Sequence, residues 1–421
     1  MTATRPPIYL DNNATTPIDP QVLEAMLPYL REQFGNPSSA HALGGPAHAA
    51  VERARGEVAA LIGASPDEIV FTSGGTEASN MAIRGGAAMD SARRAIITTN
   101  IEHPATDACC ALLARAGHAV RRLKAKADGL VDAADAAVLL GSDTALVTII
   151  HAQNEIGTSQ PVAAIARQAH AVGALVHVDA AQSLGKVRVD VDALGADLLS
   201  IAAHKLYAPK GVGALYIRRG VALPPLLVGA GQERGRRPGT ENVPYIVAVG
   251  EACRLARLAL AEAEPRMRAL RDRLLARLQQ SVPGLTLVGH PNERLPNTLN
   301  VLFPGVSGRQ LLAACPGVLA SNGSACHADS EEPSAILLAL GIPREAALGT
   351  VRLSVGRQTR QEDIDNAAAL LASAWRNQCD ARPGESGDPA PTTHSVLDSR
   401  FRGNERRDQR MKNDAHPGEL P

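Results

Sequence analysis

The feature that most limits how this chain can fold is a repeating pattern between residues 68 and 217: a short apolar run, an abrupt polar or glycine-rich stop, then an Ala-rich stretch of helical period. Runs at 68–72, 94–98, 146–150, 175–178, 198–201 and 214–217 are rich in Val, Ile, Leu or Tyr and read as buried strands. Strands joined by crossover helices build an α/β fold, a mostly parallel sheet flanked by helices. In such a sheet the ligand crevice lies beyond the carboxyl ends of the strands. The residues straight after each run therefore carry the functional information.

After the first run comes Ser73-Gly74-Gly75-Thr76-Glu77, where two glycines let backbone N–H groups at a helix start approach an anion and Thr76 adds a hydroxyl. Alone, that string is ordinary helix initiation. His103 follows the second run, and Pro104 suits the first turn of a helix, so by itself His103 is a helix-start residue. Asn154 and Glu155 follow the third run. Asp179 follows the fourth, where a buried carboxylate calls for a cation such as a protonated pyridine nitrogen. A helix cap explains it equally well in isolation. After the fifth run lies Ala203-His204-Lys205-Leu206-Tyr207. A lysine desolvated there keeps the neutral amine that attacks an aldehyde, although a lone lysine is usually a surface charge. An anion cradle, a strand-end carboxylate, a strand-end lysine and a histidine between them are together what pyridoxal phosphate requires.

A second polar stretch, 319–333, holds Gly323-Ser324-Ala325-Cys326-His327. A single exposed cysteine is normally incidental, but one in a small-residue loop beside a histidine is placed to attack as a thiolate.

Six segments in this order, Tyr9-Leu10-Asp11-Asn12-Asn13-Ala14-Thr15-Thr16-Pro17, Thr72 to Glu77, Asn154-Glu155-Ile156-Gly157, His204-Lys205-Leu206-Tyr207, Arg237-Pro238-Gly239-Thr240-Glu241-Asn242 and Gly323 to Cys326, resemble the cysteine desulfurase and selenocysteine lyase family. That family sits in the class V aminotransferase group of fold type I, and the resemblance covers residues 8–374. It implies a pyridoxal 5'-phosphate enzyme in which Lys205 carries the cofactor, Asp179 pairs with its ring nitrogen, Gln182 bonds its ring hydroxyl, and His103 stacks on the ring and moves protons. Gly75, Thr76 and His204 would bind the phosphate. Thr240 would reach the cofactor of the other subunit, making an obligate homodimer. Asn154 and Arg352 would hold the substrate carboxylate, and Cys326 would take sulfur from L-cysteine, or selenium from L-selenocysteine. The resemblance implies no resident metal, although Cys326 could transiently ligate an iron–sulfur cluster. A sulfur-acceptor or scaffold protein would receive the persulfide sulfur for iron–sulfur cluster or thio-cofactor synthesis. Two departures stand out: Ala202 replaces a usual phosphate-binding hydroxyl, and Ala208 replaces a usual glycine. Ala202 and the run Cys326-His327-Ala328 lean towards the selenocysteine lyase branch.

At 421 residues and 45% hydrophobic composition the chain exceeds one compact core, so two lobes are expected. Residues 1–14 would join a small domain, 15–255 form the cofactor-binding large domain, and 256–377 form the small α+β domain with the cysteine loop. A helical pattern at 251–280 should be kinked or split by Pro265. Residues 378–421, rich in Pro, Gly, Ser, Asp and Arg, read as a disordered tail. Lys plus Arg and Asp plus Glu both number 43, so no basic field recruits nucleic acid or an anionic membrane. The N-terminus has no apolar signal segment and six cysteines suggest no disulfide framework, so a cytoplasmic location is expected. Cys109, Cys110, Cys253, Cys315 and Cys379 read as structural or incidental. An aminotransferase on the same fold would leave Cys326 without a role, and a scaffold protein would not need Lys205. A nicotinamide enzyme is dismissed because no Gly-x-Gly-x-x-Gly joins a strand to a helix.

Overall fold

The computed structural model describes residues 6–323 and 332–381. The chain enters through a short strand, β1 (Ile8–Tyr9), and then forms two helices, Pro20–Arg31 and Gly44–Ile62. A seven-stranded sheet follows, built from β2 (Ile69–Thr72), β3 (Ala95–Thr99), β4 (Ala119–Leu123), β5 (Thr144–Ile150), β6 (Leu175–Asp179), β7 (Leu198–Ala202) and β8 (Gly213–Ile217). Its order is β2-β8-β7-β6-β5-β3-β4. All neighbours are parallel except β8, which runs antiparallel to both β7 and β2. Each anticipated strand is present within about two residues, because continuous runs such as Ile69–Thr72 are buried on both faces.

Alternation within the strands splits the core. Phe71, Ile97, Val147, Val176 and Leu199 pack with the helices Gly44–Ile62 and Val162–Ala171 on one side. Val70, Ile96, Leu146, Leu198 and Leu215 pack with the helix Gly75–Ala88 on the other. Strand β4 was not anticipated from the sequence. It is an edge strand carrying Arg121 and Arg122, and charge on an exposed edge hides the apolar signal while blocking edge-to-edge pairing.

A helix of 39 residues, Val243–Ser281, leads to a second core. Of the expected kink or split at Pro265, the split does not occur: the helix runs through it. The carbonyl that Pro265 deprives of a donor belongs to Ala261, which is exposed, so water can satisfy it. The second core holds a three-stranded antiparallel sheet of β9 (Thr286–Val288), β10 (Thr298–Leu302) and β12 (Thr350–Ser354), and β11 (Val318–Leu319) pairs in parallel with β1. Ile8 and Leu10 are buried in this core with Leu274, Leu299 and Leu353. The final helix, Gln361–Asp380, extends three residues into the stretch whose composition reads as tail. No helix among the described residues is long and apolar enough to cross a membrane.

The long helix crosses Gly44–Ile62 closely at Gly250, where a Cβ would stand 2.5 Å from the Ala54 Cα. Gly250→Val forces the two backbones apart. It is expected to destabilise the fold by roughly 1–3 kcal/mol, read as a lower denaturant midpoint in equilibrium unfolding.

Candidate active site

Because β8 is reversed, its first residue Gly213 lies at the same sheet edge as the carboxyl ends of β2 and β7, paired with Thr72 and Ala202. A Cβ at Gly213 would stand 2.4 Å from the Ile201 carbonyl oxygen and 2.8 Å from the Gly74 Cα. Glycine there lets the loop after β2 lie directly on the strand, a requirement that the sequence reading did not single out. The loop opens the helix Gly75–Ala88, whose first residues have no side-chain cap. Its free backbone N–H groups therefore face whatever anion enters. Glu77 turns back to accept from Ser73 N at 2.7 Å and is fixed by Arg237 at 2.9 Å.

A cavity of about 280 Å³ opens at this edge, and nine of the eleven anticipated site residues line it. They are Gly75 and Thr76 at the helix start after β2, Asp179 at the end of β6, Gln182, His204 and Lys205 just after strand ends, and His103, Asn154 and Arg352. Thr240 lies outside this cavity and is exposed. Cys326 falls outside the described residues. Both flanks of its stretch, Gly323 and Glu332, line a second cavity of about 840 Å³ that shares Asn154 with the first.

Hydrogen bonds define the chemistry of each group. The Lys205 amine donates to the main-chain oxygen of Asn13 at 3.0 Å. Asp179, 6% exposed, accepts from Ala181 N through Oδ1 at 2.9 Å, so the turn-capping role is real, and its other oxygen remains for a cation in the cavity. Gln182 donates to the same Asn13 oxygen at 3.0 Å. His103 Nδ1 accepts from Ala105 N at 3.1 Å, so that nitrogen carries no proton and Nε2 is the N–H. Burial lowers the His103 pKa, opposed by Asp179 and reinforced by Lys205. His204 is pushed down to about 4, first by burial and then by Lys205, Lys210 and Lys186. It therefore meets an anion as a neutral imidazole.

Arg352 is 1% exposed. It donates to Asp11 Oδ1 at 2.8 Å and to the Asn154 carbonyl at 3.1 Å, while its Nε has no partner among the described residues. Asp11 itself is raised by burial, with Arg352 opposing. The sequence reading quoted Asp11 and Asn13 within a motif but gave neither a role, and it missed Lys186 altogether. Glu102, beside His103, accepts from Thr99 Oγ1 at 2.7 Å and Ile150 N at 3.1 Å, and burial lifts it to about 8. No group of metal-binding side chains occurs among the described residues.

The sequence profile described as "Aminotransferase class-V" matches residues 8–367. The chain belongs to the class-V aminotransferase family. Among class-V relatives, cysteine desulfurase 2 of Trichormus variabilis is 46% identical over 366 residues, 86% of this chain and 92% of that protein. Cysteine desulfurase IscS of Anaeromyxobacter dehalogenans is 45% identical over 381 residues, 90% and 94% of the two chains. Among solved structures, a NifS-like protein superposes with a TM-score of 0.82 at 38% identity, covering 89% of this chain and 100% of its own. SspA in complex with cysteine gives 0.73 at 36% identity, covering 82% and 98%. The family's cofactor is pyridoxal 5'-phosphate, and this class-V site fits it: an uncapped helix N-terminus for the phosphate, a carboxylate oxygen without a hydrogen bond among the described residues for the ring nitrogen, and an amine at the strand end.

Two histidines, the buried His177 and the half-buried His151, are held down to about 4 by desolvation. Their folded values lie below the ordinary value near 6.5, so the stability they contribute is complete above pH ~6.5 and lost as pH falls towards ~4. Urea midpoints are expected to drop across that window, and His177 is expected to stay neutral at pH 5 when followed by nitrogen-edited NMR.

Proposed function

We propose that this chain is a pyridoxal-phosphate-dependent cysteine desulfurase that converts L-cysteine to L-alanine and leaves the sulfur as a persulfide on Cys326. The observation that carries the reading is the convergence of the Lys205 amine, the Asp179 carboxylate and an uncapped helix N-terminus in one cavity walled by Arg352. The relatives at about 45% identity are named cysteine desulfurases, which favours cysteine over the selenocysteine reading that Ala202 had suggested.

In this reading Gly75, Thr76 and His204 hold the cofactor phosphate, Asp179 and Gln182 hold its ring, and Lys205 carries it covalently. The bound cofactor supplies an electron sink for the bond broken at the substrate α-carbon. Arg352 and Asn154 bind the substrate carboxylate. Asp11 already orients the guanidinium, so only part of its fork is committed before substrate arrives. The Lys205 amine would hold the proton removed from the substrate α-carbon. The Cys326 thiolate attacks the substrate sulfur: an S–S bond forms, the carbon–sulfur bond breaks, and its electron pair stays with carbon. Two protons, the one taken from the α-carbon and the one Cys326 loses on becoming a thiolate, would be delivered by Lys205 and His103 to the α-carbon and to the carbon that lost sulfur, giving alanine.

Several finer features belong to the same proposal. The domain division at residues 15–255 and 256–377 rests on the two separate cores, with residues 1–14 joined to the second. The homodimer rests on Thr240, exposed and away from its own subunit's cavity, where it is free to reach a partner's phosphate. A cytoplasmic location fits the free cysteines among the described residues. Delivery of sulfur to an acceptor for iron–sulfur or thio-cofactor synthesis follows from a persulfide carried on the protein.

Purified enzyme given L-cysteine is expected to release alanine and to carry one added sulfur on Cys326 by mass spectrometry. Cys326→Ala abolishes both while keeping the bound-cofactor absorbance. Arg352→Ala raises KM for L-cysteine by roughly tenfold to a hundredfold, the cost of about 1.5–3 kcal/mol for a charge-assisted contact. Transamination without sulfur release would support the plain aminotransferase instead.

A further inference from the structure

Lys186 is a second lysine, bonded to the cavity-lining Gln182 and Asn13, and the functional reading above leaves it unused. It is 6% exposed. Its amine donates to Gln182 Oε1 at 2.8 Å and to Asn13 Oδ1 at 3.3 Å, and no carboxylate pairs with it among the described residues. An unpaired buried ammonium is costly, so a lysine kept in this position must serve its two acceptors. Burial, then Lys205 and Arg352, lower its pKa well below the ordinary value. Either charge state still offers N–H donors.

We propose that Lys186 is a positioning residue that fixes the carboxamide of Gln182 with its N–H group toward the cofactor. The partners on the two sides of that amide dictate its orientation independently. The Asn13 main-chain oxygen can only accept, so it takes Gln182 Nε2 at 3.0 Å; the lysine amine donates, so it takes Oε1. One N–H of Nε2 is committed to Asn13, which leaves the other for the ring oxygen of the cofactor. Without Lys186 the amide oxygen is a buried acceptor with no donor, and the flipped amide loses one of its two penalties, the lysine N–H facing Nε2, so that only the clash with the Asn13 carbonyl still opposes it. Lys186 also steadies Asn13, whose Oδ1 takes a second bond from Asn297 Nδ2 at 3.0 Å. Asn13 thus keeps a donor when Lys186 is removed, and the effect of removal falls on Gln182. This inference rests on the reading that Gln182 faces the cofactor.

The test is a double-mutant cycle on the dissociation constant of pyridoxal phosphate from the apoenzyme, followed by absorbance. Lys186→Met is expected to weaken binding about tenfold and to shift the bound-cofactor spectrum. Gln182→Ala weakens it at least as much, and the double variant matches Gln182→Ala alone, because one residue acts through the other. Lys186→Gln, which retains a neutral donor, recovers part of the loss, and it carries the same cycle if the Met variant fails to fold. The proposal is overturned if Lys186→Met binds as wild type, if the two losses multiply in the double variant, or if Gln182→Ala binds as wild type. Wild-type protein that takes up no cofactor contradicts the site reading itself, and this inference with it.

Discussion

One main-chain carbonyl organises the site. The oxygen of Asn13 accepts from the Lys205 amine and from the Gln182 amide, both at 3.0 Å. It can do so because residues 8–13 are tied to the second core on one side and inserted against the large sheet on the other. Strand β1 pairs with β11, Asn12 and Asn13 bond to Ser354 on β12, and the Asn13 side chain bonds to Thr298 on β10. The amine and the amide thus sit on a segment anchored from outside their own sheet. A shift between the two cores would be felt first at Lys205.

The second organising fact is how charge is buried. Arg352 is almost completely enclosed, yet Asp11 and a single carbonyl hold it, and its Nε is unpartnered among the described residues. A guanidinium left partly unsatisfied in a cavity is a binding site for a carboxylate, since an incoming anion replaces bonds that the protein withholds. Asp179 is the complement: a buried carboxylate with one oxygen bound to the backbone and the other without a hydrogen bond among the described residues, suited to a cation. Burial holds His204 down to about 4 and also lowers His103, whose Nδ1 is occupied by the Ala105 N–H. The cavity therefore gathers anion-binding groups and one cation-binding carboxylate within a single lining.

Much of this was legible in the sequence, for identifiable reasons. Strand ends in a parallel sheet converge, so Gly75, His103, Asn154, Asp179 and Lys205 could be read as neighbours from their positions alone. Gln182, His204 and Arg352 entered only through resemblance, and they line the same cavity. What stayed hidden was set by tertiary context. The reversal of β8 leaves no mark on periodicity, so the need for Gly213 could not be seen. Strand β4 was masked by Arg121 and Arg122, and Pro265 proved harmless because its freed carbonyl faces water. Lys186 resembles any lysine in a loop until its neighbours are known. Asp11 and Asn13 lay in a quoted motif, but their partners are distant in the chain.

The central claim is that Lys205, held by the Asn13 carbonyl, is the residue that carries pyridoxal phosphate. Borohydride reduction of the purified holoenzyme followed by peptide mass spectrometry tests it most directly. The account predicts the reduced cofactor on Lys205 alone. Finding it on Lys186 or Lys210, or finding no lysine modified in protein that shows bound cofactor, would contradict the account.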